Sequence, residues 1–198
     1  MLISSFQLHA YDIYAGAHGG VAMMEDSEIT DSTVPGVQVD LGFDEGLTAS
    51  GVLGLRSDQY RSEVEFSYMK NDLDNINVQG LNVDPATIGL SGDVTALMGF
   101  VNAYYDFDLG NNIRPFVGAG VGFARIKADG ALQGVPLDFS NKDTNFAWNA
   151  GAGIGYMVSE QVTLELRYRY ISSSDPEFDT TTSTFASHNF TAGVRFEF

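Results

Sequence analysis

Asn189-Phe190-Thr191-Ala192-Gly193-Val194-Arg195-Phe196-Glu197-Phe198 alternates apolar and polar residues without a break. Successive side chains of a strand point to opposite sides, so Phe190, Ala192, Val194, Phe196 and Phe198 share one face and Asn189, Thr191, Gly193, Arg195 and Glu197 the other. The first face suits lipid and the second a polar enclosed space. The pattern repeats upstream, where Val162, Leu164, Leu166, Tyr168 and Tyr170 oppose Thr163, Glu165, Arg167 and Arg169. It repeats again where Val64, Phe66 and Tyr68 oppose Arg61, Glu63, Glu65 and Ser67.

Carried outward along the chain, the same period gives eight segments near 11–24, 46–57, 60–70, 93–107, 113–126, 145–158, 162–172 and 185–198. Each has the roughly ten residues that a tilted strand needs to cross a bilayer. The connections alternate in length: Ser57-Asp58-Gln59, Leu109-Gly110-Asn111-Asn112 and Ser159-Glu160-Gln161 are tight, whereas 25–45, 71–92, 127–144 and 173–184 are long. The expected fold is all-β, an eight-stranded antiparallel up-and-down transmembrane β-barrel spanning 11–198 as one domain. Short periplasmic turns, four long extracellular loops and periplasmic termini complete the expectation. Residues 1–10 are expected to be a signal-peptide remnant or an N-terminal extension, since Leu2 to Leu8 is mildly apolar, lacks a basic start and runs into His9-Ala10.

Length and composition agree with this class. A chain of 198 residues suits a closed barrel of eight strands and is short for one of sixteen or more. With no cysteine, disulfides and thiolate metal sites are excluded. The formal charge of −16 argues against a nucleic-acid partner, because phosphate binding needs clustered Lys and Arg. No run of about 18 apolar residues exists, which excludes a transmembrane helix and leaves a barrel open.

A soluble lipocalin-like barrel would share the period with its faces reversed, and three features decide between the two. If Arg and Glu faced water, about five large apolar groups per strand would crowd a narrow interior. Gly118, Gly120 and Gly122 share a face, as do Gly151, Gly153 and Gly155, leaving room on one wall for long polar side chains from opposite strands. An early Gly-x-Trp is absent, the single Trp being Trp148. Aromatic positions agree: Tyr11, Tyr60, Tyr105, Phe107, Tyr156, Phe196 and Phe198 fall near one end of the barrel. Tyr68, Phe123, Phe146, Trp148, Tyr170 and Phe190 fall near the other. Two girdles flanking an aliphatic band are what two membrane interfaces select.

This register sends Asp12, Glu63, Glu65, Asp106, Glu165 and Glu197 inward with Arg56, Arg61, Arg114, Arg167, Arg169 and Arg195. Enclosed charges must be paired, and Arg suits bidentate carboxylate pairing, so these twelve are expected to form an interior ionic network. Tyr14, Met98, Phe100, Tyr104 and Phe116 are expected to fill the remaining space, which disfavours a wide pore.

Other acids crowd the long connections: Glu25, Asp26, Glu28, Asp31, Asp40, Asp44 and Glu45, then Asp72, Asp74, Asp84 and Asp93. Asp129, Asp138, Asp143, Asp175, Glu177 and Asp179 complete them. The net charge therefore belongs to the loop surface. A solvated face is the plain reading. No cofactor is expected, and weak Ca²⁺ binding through loop carboxylates is the one metal chemistry this pattern allows.

No catalytic constellation stands out. Ser187 and His188 are strand neighbours and point apart, which rules out a nucleophile and its base. His188 is expected outward as a lone interfacial residue, and His18 inward as a satisfied interior one. Gly118-x-Gly120-x-Gly122 has strand spacing and no following helix, so it is not a nucleotide loop. Asn189-Phe190-Thr191 matches a glycosylation acceptor without force in a bacterial membrane strand.

Four stretches carry a resemblance. Arg61 to Tyr68, Arg114 to Gly122, and Asn149 to Tyr156 with Leu164 to Tyr170 resemble outer-membrane β-barrels of the opacity-type surface proteins and of the transmembrane domain of outer membrane protein A. Phe190, Ala192, Val194, Phe196 and Phe198 resemble the C-terminal signal that such proteins present to the barrel assembly machinery. The resemblance implies a Gram-negative outer-membrane location among lipid and lipopolysaccharide. It implies a structural, antigen or adhesion role, with host or neighbouring-cell ligands reached through the loops. A narrow small-solute channel and, further off, a lipid-modifying barrel enzyme are the alternatives.

Overall fold

A computed structural model describes residues 11–25, 27–30, 38–43, 45–78, 81–83, 87, 90–132, 135–137, 144–174 and 185–198. The expected segment 1–10 lies outside the described residues.

Eight strands close a barrel: β1 (Asp12–Met24), β4 (Gly46–Ser57), β5 (Tyr60–Val78), β7 (Leu90–Asp106), β8 (Ile113–Leu132), β10 (Thr144–Met157), β11 (Val162–Ser174) and β12 (Phe185–Glu197). Each pairs antiparallel with the next in this order, and β12 returns to β1. Four short strands, β2 (Ser27–Thr30), β3 (Gln38–Phe43), β6 (Leu81–Val83) and β9 (Val135–Leu137), extend the sheet where β5 and β8 rise above the other strands.

Register fixes the shape. Directly paired residues lead from Tyr14 through Gly54, Glu63, Asn102, Gly120, Asn149, Ile171 and Ser187 back to Met24, ten residues along β1. With about 3.3 Å per residue and about 4.8 Å between strands, that stagger tilts the strands about 40° from the axis. A 13-residue strand such as β11 then rises about 33 Å, enough for an apolar band about 25 Å tall.

Faces follow the period two of the sequence. Leu53, Val64, Phe66, Leu97, Val101, Val121, Ile154, Leu164 and Leu166 are exposed on the outside, while Arg61, Glu63, Glu65, Arg167, Arg169 and Arg195 are buried within. The tight connections end the strands with ordinary turn chemistry. Asp58 and Gly110 carry positive φ of 55° and 70°, and the Gly110 amide donates to Asp108 Oδ1 at 2.9 Å, an Asx turn in which Gly tolerates the left-handed backbone.

The structure corrects the connections. β5 continues to Val78 and β8 to Leu132, and β2, β3, β6 and β9 occupy stretches expected as loop. Beyond the apolar band a strand needs only its ladder hydrogen bonds and no apolar face, so the alternation of the band is missing there. The glycine wall is corrected too. A Cβ on Gly118 would meet Tyr104, on Gly120 Asn102, on Gly122 Phe100 and the Gly99 carbonyl, and on Gly153 Phe116. Tyr104, Asn102, Phe100 and Phe116 are their register partners on the neighbouring strand, not side chains from across the barrel. Glycine here lets a large side chain lie flat over the adjacent backbone.

Candidate functional site

Charges inside the barrel form two linked layers. Nearer the tight turns, Arg61 Nε donates to both Asp106 oxygens at 2.9 Å, and Arg61 Nη1 and Arg195 Nη1 lie 3.6 and 3.2 Å from Glu165 Oε1. His18 Nε2 meets the other Glu165 oxygen at 2.9 Å. Nearer the long connections, Arg169 Nη1 holds Glu65 Oε2 at 2.7 Å, and Arg167 Nη1 lies 3.5 Å from Glu63 and 3.6 Å from Glu65. Tyr14 donates to Glu63 at 3.1 Å, and Asn102 Nδ2 bridges Glu63 and Glu65 at 3.4 and 3.1 Å. Aromatic rings cover the guanidinium faces, with Arg61 4.8 Å from the Tyr104 ring centre and 4.9 Å from that of Phe116.

The buried set is smaller than the sequence implied. Arg61, Arg167, Arg169 and Arg195 face Glu63, Glu65, Asp106 and Glu165, with His18 beside them. Arg56 and Glu197 pair at 2.9 Å in a partly buried rim position. Arg114 turns to Asp108 at 2.8 Å, a turn residue not counted as interior. Asp12 is exposed, and among the described residues it enters no ion pair, because the first residues of β1 lie at the rim, open to water. The Asp108 carboxyl, outside the spanning strands, is held below the usual carboxylate range by the Gly110 amide and then by Arg114.

Toward the long connections the interior becomes apolar. Ala22, Met69, Ala96, Met98, Phe100, Ala124, Ala147 and Ile171 are fully or almost fully buried and pack together above the charges. Only Met98 and Phe100 were expected there. Extending the inward period past Ser67 to Met69, and past Arg169 to Ile171, is the signal that finds the rest.

Outside, Tyr11, Tyr60, Phe107, Tyr156, Phe196 and Phe198 are exposed near the tight turns, and Tyr68, Phe123, Phe146, Trp148 and Phe190 near the long connections. Tyr105 and Tyr170 are only partly exposed. Tyr105 packs edge-on against Tyr60 and Phe107 and donates to Gln59 at 2.6 Å. Ala192 and Val194 lie on the same outer face as Phe190, Phe196 and Phe198. His188 is not the lone residue expected: its Nδ1 is 2.8 Å from the Tyr168 hydroxyl and its Nε2 is 3.0 Å from Glu25 Oε1. These three come from β11, β12 and the residue after β1, so no local sequence pattern announces them.

The model of the outer membrane protein beta-barrel domain matches residues 1–198, the whole chain. The chain belongs to that family. As an outer-membrane β-barrel it is 33% identical over 96 residues to outer membrane protein PagN of Salmonella typhimurium, covering 46% of this chain and 39% of PagN. It is 28% identical over 123 residues to a Rickettsia bellii protein that carries a provisional adhesin name, covering 53% of each. The match therefore spans about two fifths to half of the length of these curated relatives. Among solved structures, Neisserial surface protein A superposes with a TM-score of 0.62 at 22% identity, covering 96% of this chain and 99% of that one. This likeness shows the fold, an outer-membrane barrel of eight strands.

Among the described residues no group of three or more His, Asp or Glu could hold a metal ion. Side chains are described for Glu25, Glu45, Asp72 and Asp93 of the acidic connections, and the other acids proposed for Ca²⁺ lie outside them.

Proposed function

We propose that this barrel is a non-enzymatic surface protein whose sealed body anchors acidic loops outside the cell for an adhesive or structural role. The observation that carries it is the layering of the interior. A balanced set of buried Arg and carboxylates is closed toward the long connections by Met69, Met98, Phe100 and Ile171. An ion crossing would have to displace paired charges and then dewet past an apolar layer. Binding is thereby left to the loops, whose carboxylates favour a basic ligand or one bridged by Ca²⁺. Two relatives named as an outer membrane protein and an adhesin support the reading.

The tight turns and both termini face the periplasm in this proposal, and the long connections face outward among lipopolysaccharide. The exposed aromatics sit at the two lipid interfaces, and Phe190 to Phe198 at alternate positions serve as the signal for the barrel assembly machinery. Two experiments test it. Single-channel recording in planar bilayers is expected to show no steady pore, and appreciable steady conductance would favour the narrow-channel alternative. Deleting 31–37 or 175–184 is expected to reduce attachment of expressing cells to host matrix or to one another. Unchanged attachment after every loop deletion defeats the adhesive role.

A further inference from the structure

On the outer face, one row of side chains runs Tyr170, His188, Met23 across β11, β12 and β1. The row below runs Ala152, Tyr168, Phe190, Val21, and the next Ile154, Leu166, Ala192, Gly19. These two lower rows line a groove of about 560 Å³, floored by Gly19, Ala152 and Ala192 and walled by Leu166, Tyr168 and Phe190. The groove opens on the surface that meets lipid, so an acyl chain is the group that reaches it. It is a shallow, open depression rather than an enclosed pocket, which suits a chain lying along the barrel wall.

The upper end of the groove is polar. Tyr168, His188 and Glu25 form one hydrogen-bonded line, with distances of 2.8 and 3.0 Å, and the Glu25 backbone is fixed by its amide donating to the Ala186 carbonyl at 3.0 Å. A neutral imidazole satisfies this line in one tautomer: the Tyr168 hydroxyl donates to Nδ1, and Nε2–H donates to Glu25. The three groups then present oxygen lone pairs and a negative charge outward, and no N–H or O–H. Tyr170 stands 5.2 Å from the His188 ring and Trp148 5.6 Å from Tyr170, adding π faces at the same level. Glu25 and the aromatic faces together receive a cation that carries N–H donors.

We infer that this groove and its Glu25–His188–Tyr168 head form a binding site for a membrane lipid whose headgroup bears a primary ammonium. The ammonium donates to Glu25 and lies against the aromatic faces, while one acyl chain fills the groove below. The site draws Glu25 from the start of the 25–45 connection, but it does not rest on an adhesive role for the loops.

Trp148 is the single tryptophan, so quenching by lipids with brominated chains reports contact at this patch. The full chain is refolded into vesicles mixing phosphatidylethanolamine and phosphatidylcholine of identical acyl chains, with either one brominated. Both lipids carry a phosphate and a positive nitrogen, but only the first has N–H donors. Phosphatidylethanolamine is expected to associate about fivefold more strongly. Glu25→Gln and His188→Ala bring that ratio to about one, and Ala192→Leu weakens quenching by both lipids. A ratio of one in the unmodified protein overturns the proposal, as does a preference that persists in Glu25→Gln or quenching that Ala192→Leu leaves unchanged. Heat-modifiable migration on gels checks folding of each variant. Should His188→Ala fail to fold, Tyr168→Phe replaces it, and a preference unaltered by loss of that hydroxyl likewise overturns the proposal.

Discussion

Glu65→Gln isolates the value of the interior charge balance. The Glu65 side chain is completely buried, with Arg169 at 2.7 Å, Arg167 at 3.6 Å and the Asn102 amide at 3.1 Å. Glutamine keeps the shape and one hydrogen bond to Arg169, but leaves four buried arginines against Glu63, Asp106 and Glu165. Breaking a buried pair costs about 3–5 kcal/mol because the surviving charge stays desolvated, and the retained neutral hydrogen bond returns about 1 kcal/mol. A net loss of about 3 kcal/mol is expected, roughly a hundredfold in the unfolded fraction. Urea unfolding of the barrel in lipid vesicles, followed by Trp148 fluorescence, measures it. Arg169→Gln alone should also destabilise, and the double variant should recover at least about half of the summed loss, since removing a whole pair is often nearly neutral. A single-variant loss under about 1 kcal/mol, or a double variant that recovers nothing, would refute the reading that these charges hold one another in place.

Three further outcomes are expected. Gly120→Ala drives a Cβ against Asn102 Oδ1 and the Val101 carbonyl. It should cost about 1–3 kcal/mol by urea unfolding, with part of the loss recovered by adding Asn102→Ala. Phe198 is 78% exposed and held by one backbone hydrogen bond, its amide donating to the Ile13 carbonyl. Phe198→Ser should therefore change the finished barrel by less than about 0.5 kcal/mol while slowing its assembly in cells, and normal assembly counts against the signal. Asp108 has a lowered folded pKa, so its contribution to turn stability is full above the ordinary carboxylate value, about 3.9, and is lost as pH falls through the lowered one. NMR titration of its carboxyl should give a midpoint below that ordinary value, and Asp108→Asn should remove the acid loss of Gly110 amide protection.

The eight barrel strands and their two faces were legible because the membrane enforces them: one residue of slip would put Arg167 or Glu65 into lipid, so period two is written without error at those positions. What lay above the bilayer was not. Residues 71–78 pair as strand with β3 and β7, yet they need no apolar face, so they read as loop. Sequence spacing also gives a residue's face without naming its partner across the ladder. Gly120 is therefore visible as a gap but not as the seat of Asn102, and alternation alone places Arg114 inside although its partner Asp108 lies in the turn. Asp12 obeyed the alternation and still missed the interior, because alternation carries no information on depth at a strand end. Tyr168, His188 and Glu25 meet only through register between three strands, so their line was invisible one residue at a time.

The closing pairing of β1 with β12 has a kinetic meaning. Every other neighbouring pair among the eight barrel strands joins two that follow one another along the chain, with at most short strands between them, whereas this seam joins Met24 to Ser187 at one end and Tyr14 to Glu197 at the other. Hairpins can form early at small entropic cost, but the seam demands that nearly the whole chain be gathered before its first bond is rewarded. Until then β1 and β12 each present a row of unpaired amides and carbonyls, costly in hydrocarbon and an invitation to pair with another chain. The seam thus sets the pace of folding and marks where a partly formed barrel is open to rescue or to aggregation.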